Sequence, residues 1–354
     1  MPSTINSSSY KIPIPIDGLQ FYHHNDTFTL ESGGSIPELT ISYHTFGKLN
    51  KNKNNVIWVC HALTANSDVS DWWKNMFGSG KILDPKKHFI VCANIIGSCY
   101  GSTCPRSISS ITQKAYGINF PLITIRDITK AHNLLRQHLA IKEISLCIGG
   151  SCGGHQVMEF AYLIPQKIKK IALLVTSARE TAWAIASHAA QRLAIKADST
   201  WQNNDNLAGQ NGLKAARGMA LLGYRTFNSY IDAQTDDSEK LENFKAASYI
   251  NYQGKKLQDR FYAQCYFLLT KTLDTHHIGR GRGGIRVALN ELKMPAFILS
   301  IESDVLIPPV EQHLLAEHIP NADFISLDST YGHDGFLVEA STINDLLLDW
   351  LDKF

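Results

Sequence analysis

No run of apolar residues in this 354-residue chain approaches the roughly 20 needed to cross a bilayer. Charge of one sign is lacking too. The 34 Lys and Arg nearly cancel the 32 Asp and Glu, leaving a formal charge of +2. That near-balance gives no reason to invoke nucleic acid or an acidic membrane surface as a partner. The start of the chain, Met1 to Tyr10, is polar and serine-rich, without the basic residues and apolar stretch of a secretory signal. A cytoplasmic enzyme is the expectation. The seven cysteines are odd in number and form no CxxC pair, which argues against a disulfide framework or a zinc site and for a reducing compartment. The pairs His23-His24 and His276-His277 lack the i, i+4 spacing of a helical metal site, so no metal is implied.

Hydrophobic residues make up 44% of the chain and charged residues 19%, which suits a globular protein with ample core. Short runs rich in β-branched residues recur through the first half: Val56 to Val59, Phe89 to Cys92, Ile144 to Ile148 and Ile171 to Thr176. Helix-like stretches, Ile128 to Leu139 and Gln156 to Tyr162, lie between them. This alternation predicts a mostly parallel sheet covered by helices on both faces.

From about Ala178 to Leu292 the strand rhythm stops and helical signals take over. Ser177 to Glu180 reads as a capping box, followed by an alanine-rich run, Thr181 to Ala197. Further helices are expected near Gly212 to Phe227, Lys240 to Tyr252 and Arg260 to Leu273. Strands return at Ala296 to Ile301 and Phe324 to Leu327, and a helix, Ile343 to Leu351, closes the chain. The simplest organisation is one α/β core, residues 1–177 and 291–354, interrupted by a helical cap, residues 178–290. Within the insertion, Gly279 to Gly284 matches G-x-G-x-x-G. It follows a helix rather than a strand, so it is expected to be a returning loop and not a dinucleotide site.

The chemistry gathers at Gly149-Gly150-Ser151-Cys152-Gly153, a G-x-S-x-G preceded by an apolar strand and followed by an amphipathic run. Such a strand-to-helix turn needs small residues around the nucleophile and lifts its hydroxyl above the sheet. A serine hydroxyl needs a base, and the expected chain order is Ser, then Asp or Glu, then His. Asp304 follows the strand ending at Ile301, and His333 lies in a glycine-flanked loop after the last strand. Glu302, Asp323 and Asp328 compete as the acid, but only Asp304 sits in the expected loop. The oxyanion hole calls for two backbone N–H groups. Cys152 and Leu63, the latter in the loop His61 to Ala65, are the candidates. Arg217 and Tyr224, seven residues apart, would share one helical face with Leu213 and Ala220. That setting suits an anion-binding arginine or an ion pair that stabilises the cap.

These motifs together resemble the homoserine O-acetyltransferases of the α/β-hydrolase fold. The resemblance covers about Phe28 to Leu347, through Tyr43 to Asn50, His61 to Ala65, Gly97 to Thr103, Thr124 to Asp127 and Gly149 to Gly154. It continues through Arg192 to Asp198, Tyr252 to Gly254, Ser303 to Pro309 and Gly332 to Leu337. It implies ping-pong transfer of acetyl from acetyl-CoA, through an acyl-Ser151, to the hydroxyl of L-homoserine in methionine biosynthesis. No bound cofactor is implied, and acetyl-CoA enters as a substrate. It further implies that Arg217 binds the acceptor carboxylate and Asp334 its amino group, with Tyr224 and Thr64 alongside, and that the cap helices form a homodimer. Cys152 and His155 stand where the family commonly has methionine, Tyr262 where it has aspartate, and Gly335 where it has alanine. A homoserine O-succinyltransferase, a serine O-acyltransferase or an esterase are the alternative readings.

Overall fold

A computed structural model describes residues 17–203 and 205–354; the serine-rich start, Met1 to Tyr10, lies outside them. Eight strands form one sheet: β1 (Gln20–His24), β2 (Leu39–Phe46), β3 (Val56–Cys60), β4 (Phe89–Ala93), β5 (Ile144–Gly150), β6 (Ile171–Leu174), β7 (Ala296–Ile301) and β8 (Ala322–Leu327). Their spatial order is β1-β2-β4-β3-β5-β6-β7-β8. β1 and β2 pair antiparallel, as do β2 and β4, and every other pairing is parallel. This is the sheet expected of the α/β-hydrolase fold.

The central strands read as unbroken apolar runs because both of their faces are covered. Side chains alternate across the sheet. Val56, Trp58 and Cys60 of β3 join one core with Val91 and Cys147, while Ile57 and Val59 join the other with Ile90, Leu146, Ile148 and Phe297. Helices α1 (Ile125–His138) and α2 (Cys152–Leu163) supply the first core through Ile128, Leu135, Val157 and Phe160. Helix α1 starts at a capping box in which Thr124 Oγ1 accepts from the Asp127 amide and Asp127 Oδ2 accepts from the Thr124 amide.

Between β6 and β7 the described residues hold helices only: α3 (Ala182–Ala197), α4 (Gln210–Tyr224), α5 (Phe227–Gln234), α6 (Lys245–Gln258), α7 (Ala263–Asp274) and α8 (Ile285–Asn290). Helix α9 (Pro309–His318) separates β7 from β8, and α10 (Ala340–Leu351) lays Ile343, Leu347 and Trp350 on the second core. Among the described residues no helix is long and apolar enough to cross a membrane. All seven cysteines are buried and none forms a disulfide.

Several elements depart from the sequence reading. The expected capping box at Ser177 to Glu180 does not form. Thr181 caps α3 instead, accepting from the Ala184 amide at 3.1 Å, because Ser177 Oγ donates to the Arg179 carbonyl at 2.7 Å. Strands β1 and β2 were not anticipated. Polar Ser42 and His44 alternate with Ile41 and Tyr43 along β2, yet they are buried among hydrogen bonds to Tyr100 and Ser67 rather than facing solvent. Helix α9 opens on Pro308-Pro309, residues that look like a break but fit a helical first turn. The Gly279 to Gly284 loop returns the insertion to the core and is pinned by charge. Glu31 receives Arg126 and Arg280, and buried Glu159 receives Arg126 at 3.2 Å and Arg282 at 2.7 Å.

Removing Arg126 would leave Glu159 buried with half of its counter-charge. We expect Arg126→Ala to lower stability by about 3 kcal/mol. The measurement is a shift of the urea midpoint without a change in slope.

Candidate active site

Strand β5 ends at Gly150 and α2 begins at Cys152, so Ser151 alone makes the turn, with φ 55° and ψ −124°. A left-handed non-glycine residue is strained and persists only where its surroundings enforce it. The enforcement here is close packing. A Cβ on Gly149 would lie 2.5 Å from the Gly153 carbonyl carbon, and one on Gly153 would lie 2.2 Å from the Cys60 carbonyl oxygen. Glycine at both positions lets the first turn of α2 press against the ends of β3 and β5. The Ser151 amide donates to the Leu174 carbonyl at 2.9 Å, which locks the turn to β6.

The hydroxyl so presented meets His333: Ser151 Oγ and His333 Nε2 are 2.8 Å apart. His333 Nδ1 lies 2.7 Å from Asp304 Oδ2. The other carboxylate oxygen, Asp304 Oδ1, accepts from the amides of Leu306 and Ile307 at 2.9 and 3.0 Å. Asp304 is thus held in one orientation, with Oδ2 directed at the imidazole. Asp304 and His333 are both buried. Desolvation pulls the His333 pKa down, but the charge and hydrogen bond of Asp304, with the charge of Asp334, outweigh it and leave it above the ordinary histidine value. The rival acids are placed elsewhere: Glu302 accepts from Ser326, Asp323 from the Trp350 indole, and Asp328 is exposed.

Cys152 follows this serine on the first turn of α2, and Leu63 belongs to the loop after β3. Neither backbone N–H has an acceptor among the described residues, the condition an oxyanion hole requires. Burial pushes the Cys152 thiol up to about 12, so it stays protonated and does not compete as a nucleophile. His61 braces the loop. Its Nε2 accepts from the Ile95 amide at 3.1 Å, so Nδ1 carries the proton and donates to the Ala62 carbonyl at 2.8 Å. Burial pulls its pKa down to about 4, which keeps it neutral in that role.

Above the triad, Tyr224 ends α4 with its ring 5.9 Å from that of His333. The Arg217 guanidinium carbon sits 5.2 Å from the centre of the Tyr224 ring. Arg217 is half-buried, with no carboxylate or hydrogen-bond partner among the described residues. The ion-pair alternative for it is therefore not what the structure holds. Asp334 directly follows His333 and pairs with Arg225, a residue the sequence reading did not single out. Thr64 contributes its carbonyl to Arg260 at 2.6 Å and to the Tyr100 hydroxyl at 3.3 Å. Arg260 was also missed, since it belongs to no recognisable motif. Of the unusual residues, His155 stacks on His276 with ring centroids 4.0 Å apart. An alanine methyl at position 335 would come within 2.6 Å of Ile301 Cδ1. Among the described residues no group of three or more His, Cys, Asp or Glu could hold a metal ion.

A hydroxyl, a base oriented by a carboxylate, and two free amides make up apparatus for acyl transfer through a covalent intermediate. Such chemistry needs His333 neutral. We expect the rate of Ser151 acylation to fall as pH drops through a value above 6.5. Stopped-flow measurement across pH tests this, and a limb at or below 6.5 contradicts it.

The sequence profile of the alpha/beta hydrolase fold family matches residues 55–340. A homoserine O-acetyltransferase of Chlorobaculum parvum is 45% identical over 342 residues, covering 96% of each chain. One from Nostoc punctiforme is 42% identical over 339 residues, covering 93% of this chain and 94% of its own. Among solved structures, homoserine O-acetyltransferase from Staphylococcus aureus superposes with a TM-score of 0.79 at 28% identity, over 94% of this chain and 95% of that one. Esterase E22 superposes with a TM-score of 0.83 at 20% identity, over 93% and 99%, a likeness of fold alone.

Proposed function

From the premise that this chain belongs to the homoserine O-acetyltransferase family and is an acyltransferase of the α/β-hydrolase fold, we propose that it transfers acetyl from acetyl-CoA to the side-chain hydroxyl of L-homoserine, yielding O-acetyl-L-homoserine for methionine biosynthesis. In the first half-reaction His333 takes the Ser151 proton as Oγ attacks the thioester carbonyl. The Leu63 and Cys152 amides hold the oxyanion, and collapse expels CoA sulfur, which leaves with the proton from His333. In the second, His333 takes the proton of the acceptor hydroxyl, which attacks the acyl-serine. The intermediate collapses, and the proton passes back to Ser151. Asp304 keeps the imidazole in the working tautomer and stabilises it when charged.

The observation that carries the acceptor is Arg217: a half-buried guanidinium with no carboxylate or hydrogen-bond partner among the described residues, lying over the tyrosine whose ring is near that of His333. An amino acid presents a carboxylate to such a group, while Asp334 offers the opposite charge to its ammonium. Tyr224 packs against the bound chain, and Thr64 lines the near wall. The helices of residues 178–290 act as a cap that excludes water, so that the amino acid and not hydrolysis accepts the acyl group. Exposed Met219, Leu222, Phe227 and Ile231 on α4 and α5 suit a homodimer through the cap, and the enzyme works in the cytoplasm on small molecules.

The test supplies acetyl-CoA or succinyl-CoA with homoserine, serine or neither, while free thiol and O-acylated product are measured. Thiol release should require acetyl-CoA and rise with homoserine. Release that ignores every amino acid would make the protein a hydrolase. Ser151→Ala should form no acyl-enzyme. Arg217→Ala should acylate normally but show a KM for homoserine raised at least tenfold, one charge-assisted contact being about 1.4 kcal/mol or more.

A further inference from the structure

The C-terminal turn of α4 is fastened to the histidine loop by four separate contacts. Arg225 Nε lies 2.9 Å from Asp334 Oδ2, and the Arg225 guanidinium carbon lies 5.8 Å from the centre of the Tyr331 ring. Thr226 Oγ1 donates to the Thr330 carbonyl at 2.6 Å. Gly332, with φ +61°, packs so closely that a Cβ there would lie 3.1 Å from the Tyr224 carbonyl oxygen. The turn carries Tyr224 and, two helical turns back, Arg217; the loop carries His333 and Asp334. The latch therefore joins both halves of the acceptor site to the catalytic base.

Within this latch the Arg225–Asp334 pair has an unusual form. The distance is that of an ion pair, yet the Nε–H is not directed at the oxygen and makes no hydrogen bond. Oδ1 of Asp334 has no partner among the described residues. Asp334 is thus oriented and partly neutralised through one oxygen while the other stays open. The far side of Arg225 faces a cavity of about 420 Å³, lined also by Ser229, Tyr230, Tyr249, Gln253 and Tyr331.

We propose that Arg225 is a positioning and specificity-determining residue, which aims the open oxygen of Asp334 at the acceptor ammonium and screens its charge from His333. The inference rests on the acceptor reading of Asp334 given above. A carboxylate left without this counter-ion would swing freely and would hold the imidazolium more strongly. The groups that face His333 are Ser151 from the β5–α2 turn, Asp304 from the loop after β7 and Tyr224 from α4 with Arg217 behind it. Asp334 lies on its own segment, and buried His155 of α2 is a further titratable group whose charge would meet that of His333. Among these, Asp334 is the group that Arg225 touches.

The experiment compares wild type, Arg225→Gln, Arg225→Lys, Asp334→Asn and the Arg225→Gln/Asp334→Asn double variant. Acylation by acetyl-CoA is followed against pH, and the KM for homoserine is measured at the plateau. In Arg225→Gln the acid limb of acylation should move up by roughly half a pH unit, and the acceptor KM should rise about tenfold. Arg225→Lys, which keeps the charge but not the fork, should hold the limb and raise the KM. In the double variant the limb should match that of Asp334→Asn alone, because no carboxylate remains to be screened. An unchanged limb and KM in Arg225→Gln would overturn the proposal, and so would an upward shift that persists in full without Asp334. Should Arg225→Gln fail to fold, the lysine variant decides: a raised KM supports the proposal and an unaltered one refutes it. If Asp334→Asn itself leaves the homoserine KM unchanged, the acceptor reading fails. If only the arginine variants behave as wild type, the inference alone fails.

Discussion

Everything at this site depends on how closely the first turn of α2 can approach the end of β3. The Cys60 carbonyl oxygen stands where any side chain on Gly153 would have to go, and that contact holds the backbone of Ser151 in its left-handed conformation. The strain is local, and the packing of β3, β5 and β6 around it sustains it. Raising the serine out of the sheet brings its hydroxyl to an imidazole from a loop 182 residues further along the chain. Among the described residues the amides of Leu63 and Cys152 have no acceptor. One close backbone contact thus accompanies both the raised hydroxyl and the unengaged Cys152 amide next to it.

Electrostatics above the sheet are organised by an asymmetry among the arginines. Arg126, Arg280 and Arg282 are consumed in fixing the returning loop to buried Glu159 and to Glu31. Arg260 is engaged by the Thr64 carbonyl and the Tyr100 hydroxyl. Among the described residues Arg217 is left with only the Tyr224 ring, and Arg225 with one oxygen of Asp334 and the Tyr331 ring. A half-buried guanidinium without a hydrogen-bonding partner is unfavourable unless something else completes it. A polar ligand that did so would gain affinity from a desolvation cost already met in folding.

Much of the architecture could be read directly from residues. The strand runs at Val56, Phe89, Ile144, Ile171 and Ala296 reappear with boundaries shifted by a few residues, because a sheet covered on both faces demands unbroken apolar segments. The triad was legible because its members obey local rules: glycines around Ser151, an acid just after a strand, a glycine-flanked histidine. Strand β2 was hidden because its alternating polar residues are satisfied internally by Asn94, Ser67 and Tyr100 rather than by water. Helix α9 was hidden by its opening prolines. The mistaken capping box at Ser177 shows how the same four letters serve either a helix start or a bend, according to where the serine hydroxyl finds its acceptor.

Sequence by itself determined the parallel part of the sheet, the turn that raises Ser151 and which carboxylate and imidazole meet beside it, since each follows from periodicity or from short-range sterics. Tertiary structure decided which charges remain unpaired. That Arg217 has only the Tyr224 ring among the described residues while Arg225 meets Asp334 cannot be deduced from spacing, because one arginine sits in the middle and the other at the C-terminal end of the same helix, and they differ in what distant segments bring against them. Pairing of charges is a property of the folded neighbourhood, set by contacts about a hundred residues apart in the chain, and no local pattern encodes it.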